Sequence, residues 1–114
     1  MIGAFLLIIY FRLTESATGT TYIRNEAQAQ TFYLQGNQLY REGDLESAKE
    51  SYRTAILYDD KLKYAWTNLG NLLLQTNHYS EAIDAYTQAS LLAPDEAKSH
   101  YNLGVALQRA NRMQ

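Results

Sequence analysis

An all-α array of antiparallel helix–turn–helix units, stacked one on the next, is the fold this sequence predicts. Three observations carry the prediction. Residues recur at an interval of 34: Gly36, Gly70 and Gly104; Asn37 and Asn71; Leu39, Leu73 and Leu107; Ala48 and Ala82; Tyr52 and Tyr86; Ala55 and Ala89. Within each unit the apolar and small residues fall three and four apart, the spacing of one helical face. The chain of 114 residues holds one proline and six glycines, few breakers for that length. An interval of this size means copies of one supersecondary unit, none of which buries its apolar face alone.

The first helix is expected from Glu26 to Arg41, with Asn25 as its N-cap and Glu26 in the first turn, where the helix dipole favours an anion. Gly43 fits the left-handed end of that helix, and Asp44 the next N-cap. The second helix runs from Leu45 to Tyr58 and breaks at Asp59 and Asp60, read here as caps. The third runs from Leu62 to Gln75, where Asn77 takes the Gly43 slot; asparagine tolerates the left-handed region better than most residues. The fourth runs from Tyr79 to Leu92. Pro94 and Asp95 open the fifth, which reaches about Arg109, with Asn111 again in the Gly43 slot. Trp66, Leu69, Gly70 and Leu73 form one buried stripe, and Ala82, Tyr86 and Ala89 the stripe facing it. Glycine and alanine let the backbones approach, and the aromatic rings fill the space left.

These residues resemble the tetratricopeptide repeat, whose pattern sets Trp, Leu, Gly and Tyr on the first helix and Ala, an aromatic, Ala and Pro beyond it. Residues 63–96 supply Trp66, Leu69, Gly70, Ala82, Tyr86, Ala89 and Pro94, with Leu73 in the place of Tyr. Residues 29–62 supply Phe32, Gly36, Leu39, Ala48, Tyr52 and Ala55, and depart at Gln35 and Asp60. Residues 97–114 supply His100, Leu103, Gly104 and Leu107. The resemblance implies a right-handed superhelix, a repeat domain over 26–114 of about two and a half repeats, and a fragment of a longer array. The alternative is a fifth helix that caps the stack.

Residues 1–25 read differently. Residues 2–11 are an unbroken apolar run, shorter than the roughly 17–25 residues of a single membrane span. Three readings stay open: an export signal or part of a membrane span, a segment packed on the first repeat, or a stretch read from a wrong start. Residues 14–25, rich in Thr and Ser, read as a linker. Compartment is left unassigned: cytoplasmic, or exported or membrane-anchored if residues 2–11 serve that end.

Composition excludes several chemistries. There are no cysteines, hence no disulfides, thiolate metal sites or cysteine nucleophiles. A net charge of −2 argues against a nucleic-acid partner. His78 and His100 share no metal-binding spacing, no glycine-rich phosphate loop occurs, and no nucleophile elbow is present. No catalytic residue, metal or cofactor is expected.

What remains is a surface. In the family, the second, fifth, sixth, ninth, twelfth and thirteenth positions of a repeat line the concave wall. The resemblance therefore implies a groove of Gln30, Tyr33, Asn37, Tyr40 and Arg41, then Tyr64, Thr67, Asn68, Asn71, Leu74 and Gln75, then Lys98, Tyr101, Asn102, Val105, Gln108 and Arg109. A carboxamide both donates and accepts, so a row of asparagines suits the main chain of an extended peptide. Asn68 and Asn102 resemble the asparagine ladder of the O-linked N-acetylglucosamine transferase repeats. Asn37, Asn68 and Lys98 match three of five positions of the clamp by which chaperone-binding members hold a carboxylate. The other two, basic in that clamp, are Tyr33 and Asn102, which weakens anion capture. The implied function is protein–protein interaction, binding an extended peptide or a partner's helix. The alternative is the non-catalytic repeat portion of a larger enzyme, such as a membrane glycosyltransferase.

Overall fold

A computed structural model describes residues 24–112, and the readings made for residues 1–23 lie outside them. Among the described residues the regular structure is helical: α1 (Glu26–Arg41), α2 (Leu45–Tyr58), α3 (Lys63–Gln75), α4 (Tyr79–Leu92) and α5 (Ala97–Arg112). Each packs on the next in chain order, as expected of a stack whose units touch only neighbours.

Local chemistry sets the boundaries. The Asn25 side chain accepts from the Gln28 amide at 3.0 Å, and Asp44 from the Ser47 amide at 3.2 Å. At the other end of α1, Gly43 adopts φ +84°. Its amide donates to the Tyr40 carbonyl and that of Asp44 to the Leu39 carbonyl, both at 3.0 Å. This pair of bonds satisfies carbonyls the helix end would otherwise orphan. Asn77 repeats the device after α3 at φ 65°, with bonds from Asn77 to Leu74 and from His78 to Leu73.

Four expectations need correction. Asn111 does not end α5: the helix runs through it to Arg112, and Asn77 is the one non-glycine residue with positive φ among those described. Of Asp59 and Asp60, both read as caps, only Asp59 is one. It is the buried C-cap of α2, and its carboxylate accepts from the Lys61 amide at 3.0 Å and pairs with Arg24 at 3.1 Å. The N-cap position of α3 falls to Leu62, without a side-chain bond. Trp66 is half-buried rather than buried. Its indole N–H donates to the Asp60 carbonyl at 2.7 Å, which holds the ring at the edge of the turn. Finally, Gly104 faces no neighbouring atom within 4 Å.

The other two glycines do what close packing requires. A Cβ on Gly36 would lie 2.7 Å from the Tyr52 ring, and one on Gly70 would lie 2.7 Å from the Tyr86 ring. Each ring lies flat against bare backbone. Tyr52, Tyr86, Leu72 and Leu73 are the largest fully buried side chains, and with Ala48, Leu69, Ala82, Ala85 and Ala106 they form the core.

Candidate functional site

The face that α1 shares with α3 is built outward from those two tyrosines. Without a Cβ at Gly36, the Tyr52 ring reaches past α1, and its hydroxyl emerges one residue on. There it donates to Asn37 Oδ1 at 2.7 Å. The second unit repeats this: the Tyr86 hydroxyl donates to Asn71 Oδ1 at 2.5 Å. Burial pushes the Tyr52 hydroxyl above its ordinary pKa and that of Tyr86 to about 12, because a phenolate is poorly solvated there.

Side chains then join the units. Asn68 Nδ2 donates to Asn37 Oδ1 at 2.9 Å and lies 3.5 Å from the Tyr33 hydroxyl. The Tyr40 hydroxyl donates to Gln75 Oε1 at 2.5 Å. Between these bridges, Tyr40, Asn68 and Asn71 line a recess of about 130 Å³. Arg53 on α2 and Glu81 on α4 pair at 2.8 Å elsewhere, so the first and second helices of successive units are each cross-linked.

The expected groove residues divide into two sets. Asn37, Asn68 and Asn71 come together, with Tyr33 half-buried and tilted against Tyr52 at a centroid distance of 6.3 Å. The remainder spread outward. Tyr64 is 55% exposed, with the Lys63 ammonium 4.9 Å from its ring centroid, and Tyr101 is 71% exposed. Arg41 is exposed and donates to Gln38 at 2.8 Å, while Lys98 is exposed. Asn102 is half-buried and makes no side-chain hydrogen bond among the described residues.

Two features were not foreseen from the sequence. One is the tyrosine–asparagine pairing, although Asn37 with Tyr52 and Asn71 with Tyr86 recur together at the repeat interval. The other is the Lys63–Glu96 ion pair at 2.5 Å, joining the start of α3 to the turn before α5. The bond from Lys63 holds the Glu96 carboxyl below its usual range, and the same bond raises Lys63.

The histidines have structural partners. A ring nitrogen of His78 lies 2.9 Å from the Thr76 hydroxyl. His100 Nε2 lies 2.8 Å from the Pro94 carbonyl, the repeat-equivalent of the Trp66–Asp60 bond, so an imidazole N–H stands in for an indole N–H. Among the described residues no group of three or more His, Cys, Asp and Glu is placed to hold a metal. No described helix is long and apolar enough to cross a membrane.

A family model described as "Tetratricopeptide repeat" matches residues 33–89, and one described as "TPR repeat" matches residues 70–111. Over 86 residues the chain is 31% identical to Protein O-mannosyl-transferase TMTC1 of Mus musculus, covering 75% of this chain and 9% of that protein. Over 71 residues it is 30% identical to the Peroxisomal targeting signal receptor of Kluyveromyces lactis, covering 62% of this chain and 12% of the receptor. The chain thus spans only a small part of these relatives. Among solved structures, "Second TPR of Spaghetti (RPAP3) bound to HSP90 peptide SRMEEVD" is similar at a TM-score of 0.72 and 30% identity, covering 77% of this chain and 82% of that one. The first TPR of the same protein has a TM-score of 0.73 at 17% identity, covering 78% of this chain and 71% of that one, a likeness of fold alone.

Proposed function

The chain belongs to the tetratricopeptide repeat family, and we propose on that premise that the face shared by α1, α3 and α5 holds an extended segment of a partner protein. One observation carries the reading. Asn68 and Asn71 line a recess with Tyr40, and Asn37 joins them through its bond from Asn68, while the apolar stripes of α1 and α3 face the core. Tyr33, Tyr64 and Tyr101 add contact area at low entropic cost, and Arg41, Lys98 and Asn102 supply the rim. A peptide-bound relative at 30% identity supports peptide as the ligand class. The five-position carboxylate clamp is matched here at three positions only, so main-chain recognition is favoured over capture of a terminal carboxylate.

Selection from a displayed library of random seven-residue peptides tests this. The expected result is enrichment on the wild-type chain and loss of capture when Asn68→Ala and Asn102→Ala are combined. Failure to enrich any sequence overturns the reading.

A second reading follows from the relatives named O-mannosyl-transferase: the chain is the non-catalytic repeat portion of a larger, membrane-associated transferase, with residues 2–11 part of its membrane attachment. The coding sequence on both sides decides it. A transferase domain or further apolar spans there would establish it, and their absence would end it.

A further inference from the structure

A tyrosine hydroxyl carries a single proton. Tyr52 is 2% exposed and Tyr86 1%, so each proton needs an acceptor inside the protein. Each has one, the side-chain oxygen of Asn37 or Asn71. Turning either carboxamide over would set an N–H2 group against the buried O–H and strand its proton. The orientation of both amides is therefore fixed from beneath.

The consequence lies on the outer side. Asn37 Oδ1 already accepts from both the Tyr52 hydroxyl and Asn68 Nδ2, which uses its two lone pairs. What Asn37 has left to offer is N–H. Asn71, which lines the recess, has its oxygen engaged once, by the Tyr86 hydroxyl, and its Nδ2 free. Both members of the pair recur at the repeat interval, whereas the corresponding position of the third unit is Val105.

We infer that Tyr52 and Tyr86 are positioning residues for the binding face: they aim Asn37 and Asn71 so that hydrogen-bond donors meet the ligand, and the groups recognised are main-chain carbonyl oxygens of an extended peptide. The inference rests on the peptide-binding reading above and adds its polarity. The face presents donors at both positions, and at Asn37 no acceptor is left for a peptide's own N–H.

Aspartate separates this from a purely structural role. Asn37→Asp and Asn71→Asp keep an oxygen for each tyrosine, and so keep the fold, but replace the outward donors with acceptors. Binding is read by fluorescence anisotropy with a labelled synthetic copy of the strongest selected peptide. The double variant is expected to melt within a few degrees of wild type and to bind at least about tenfold more weakly, from two lost hydrogen bonds. Gln35→Glu combined with Gln88→Glu adds the same two charges at exposed positions outside the expected groove, and is expected to weaken binding no more than about twofold. Tyr86→Phe frees Asn71 to turn and should weaken binding about two- to fivefold.

A ligand-side arm needs no variant to fold. Thioamide replacement of a contacting carbonyl should weaken binding about fivefold, and N-methylation of the contacting amide should not. If no peptide is selected, the peptide-binding reading fails. If peptides are selected but the double aspartate variant binds as wild type, or N-methylation weakens binding while thioamide does not, the donor polarity is overturned and that reading stands. If Tyr86→Phe binds as wild type, tyrosine does not aim the amide.

Discussion

At the scale of single residues, the contact between glycine and ring is the sharpest feature of the molecule. Gly70→Ala sets a methyl 2.7 Å from an aromatic carbon of a fully buried tyrosine. It should cost about 1–3 kcal/mol by overpacking, read as a lowered denaturant midpoint at unchanged slope. Gly104→Ala meets nothing within 4 Å. The same change there should be neutral or stabilise by up to about 1 kcal/mol, the helix propensity gained. One sequence motif thus gives opposite signs in two units. The tyrosine itself responds to pH. Its folded pKa is raised from 10.0 to about 12, so the folded chain keeps a proton that the unfolded chain has lost. Stability from this group is complete below pH 10 and declines as pH rises toward 12. Thermal midpoints across that range should fall less steeply in Tyr86→Phe than in wild type. Gly36 and Gly70 could be read from recurrence, but Gly104 recurs at the same interval and meets no ring, because among the described residues no helix that would bring one is packed against it. The asparagines could not be read as fully. Recurrence marked Asn37 and Asn71, but a carboxamide that accepts a buried hydroxyl looks the same in sequence as one that waits for a ligand.

At the scale of elements, ends matter more than middles. The limits of α1, α2 and α4 agree with the sequence reading because Asn25, Asp44, Gly43 and Asn77 act through backbone geometry within a few residues. The start of α3 was less legible. Asp59, itself buried, is drawn into an ion pair with the exposed Arg24, a contact across 35 positions that no local rule contains. The helices also differ in their N-caps. Asp44→Ala removes the bond to the Ser47 amide and should cost about 1 kcal/mol. His78 occupies the equivalent place before α4 without a side-chain cap bond. His78→Asp should therefore stabilise by roughly 0.5–1 kcal/mol, since aspartate both caps and meets the positive end of the dipole. The two variants should move the thermal midpoint in opposite directions, and a fall in both would show that His78 already satisfies that helix end.

At the scale of the whole molecule, the stack is not equally finished along its length. Leu73 and Leu107 occupy the same place in successive units, yet Leu73 is 2% exposed and Leu107 49%. The cause is the neighbour. Leu73 lies in the core between α3 and α4, and α5 has no following helix against it among the described residues. The repeat pattern assigns both leucines to one stripe and cannot say which is covered, because cover is a property of the adjoining unit. The energetic consequence follows from burial. Leu73→Ala should cost about 2–5 kcal/mol through lost transfer energy and the cavity left behind. Leu107→Ala removes a half-exposed side chain that leaves no closed cavity, and should cost less than about 1 kcal/mol. Urea titration of the two variants, followed by helical circular dichroism, checks the pair. Equal losses would mean that the α5 stripe is covered in solution, by a second copy of the chain or by a segment outside residues 24–112. A dependence of the Leu107→Ala midpoint on protein concentration would then separate the first case from the second.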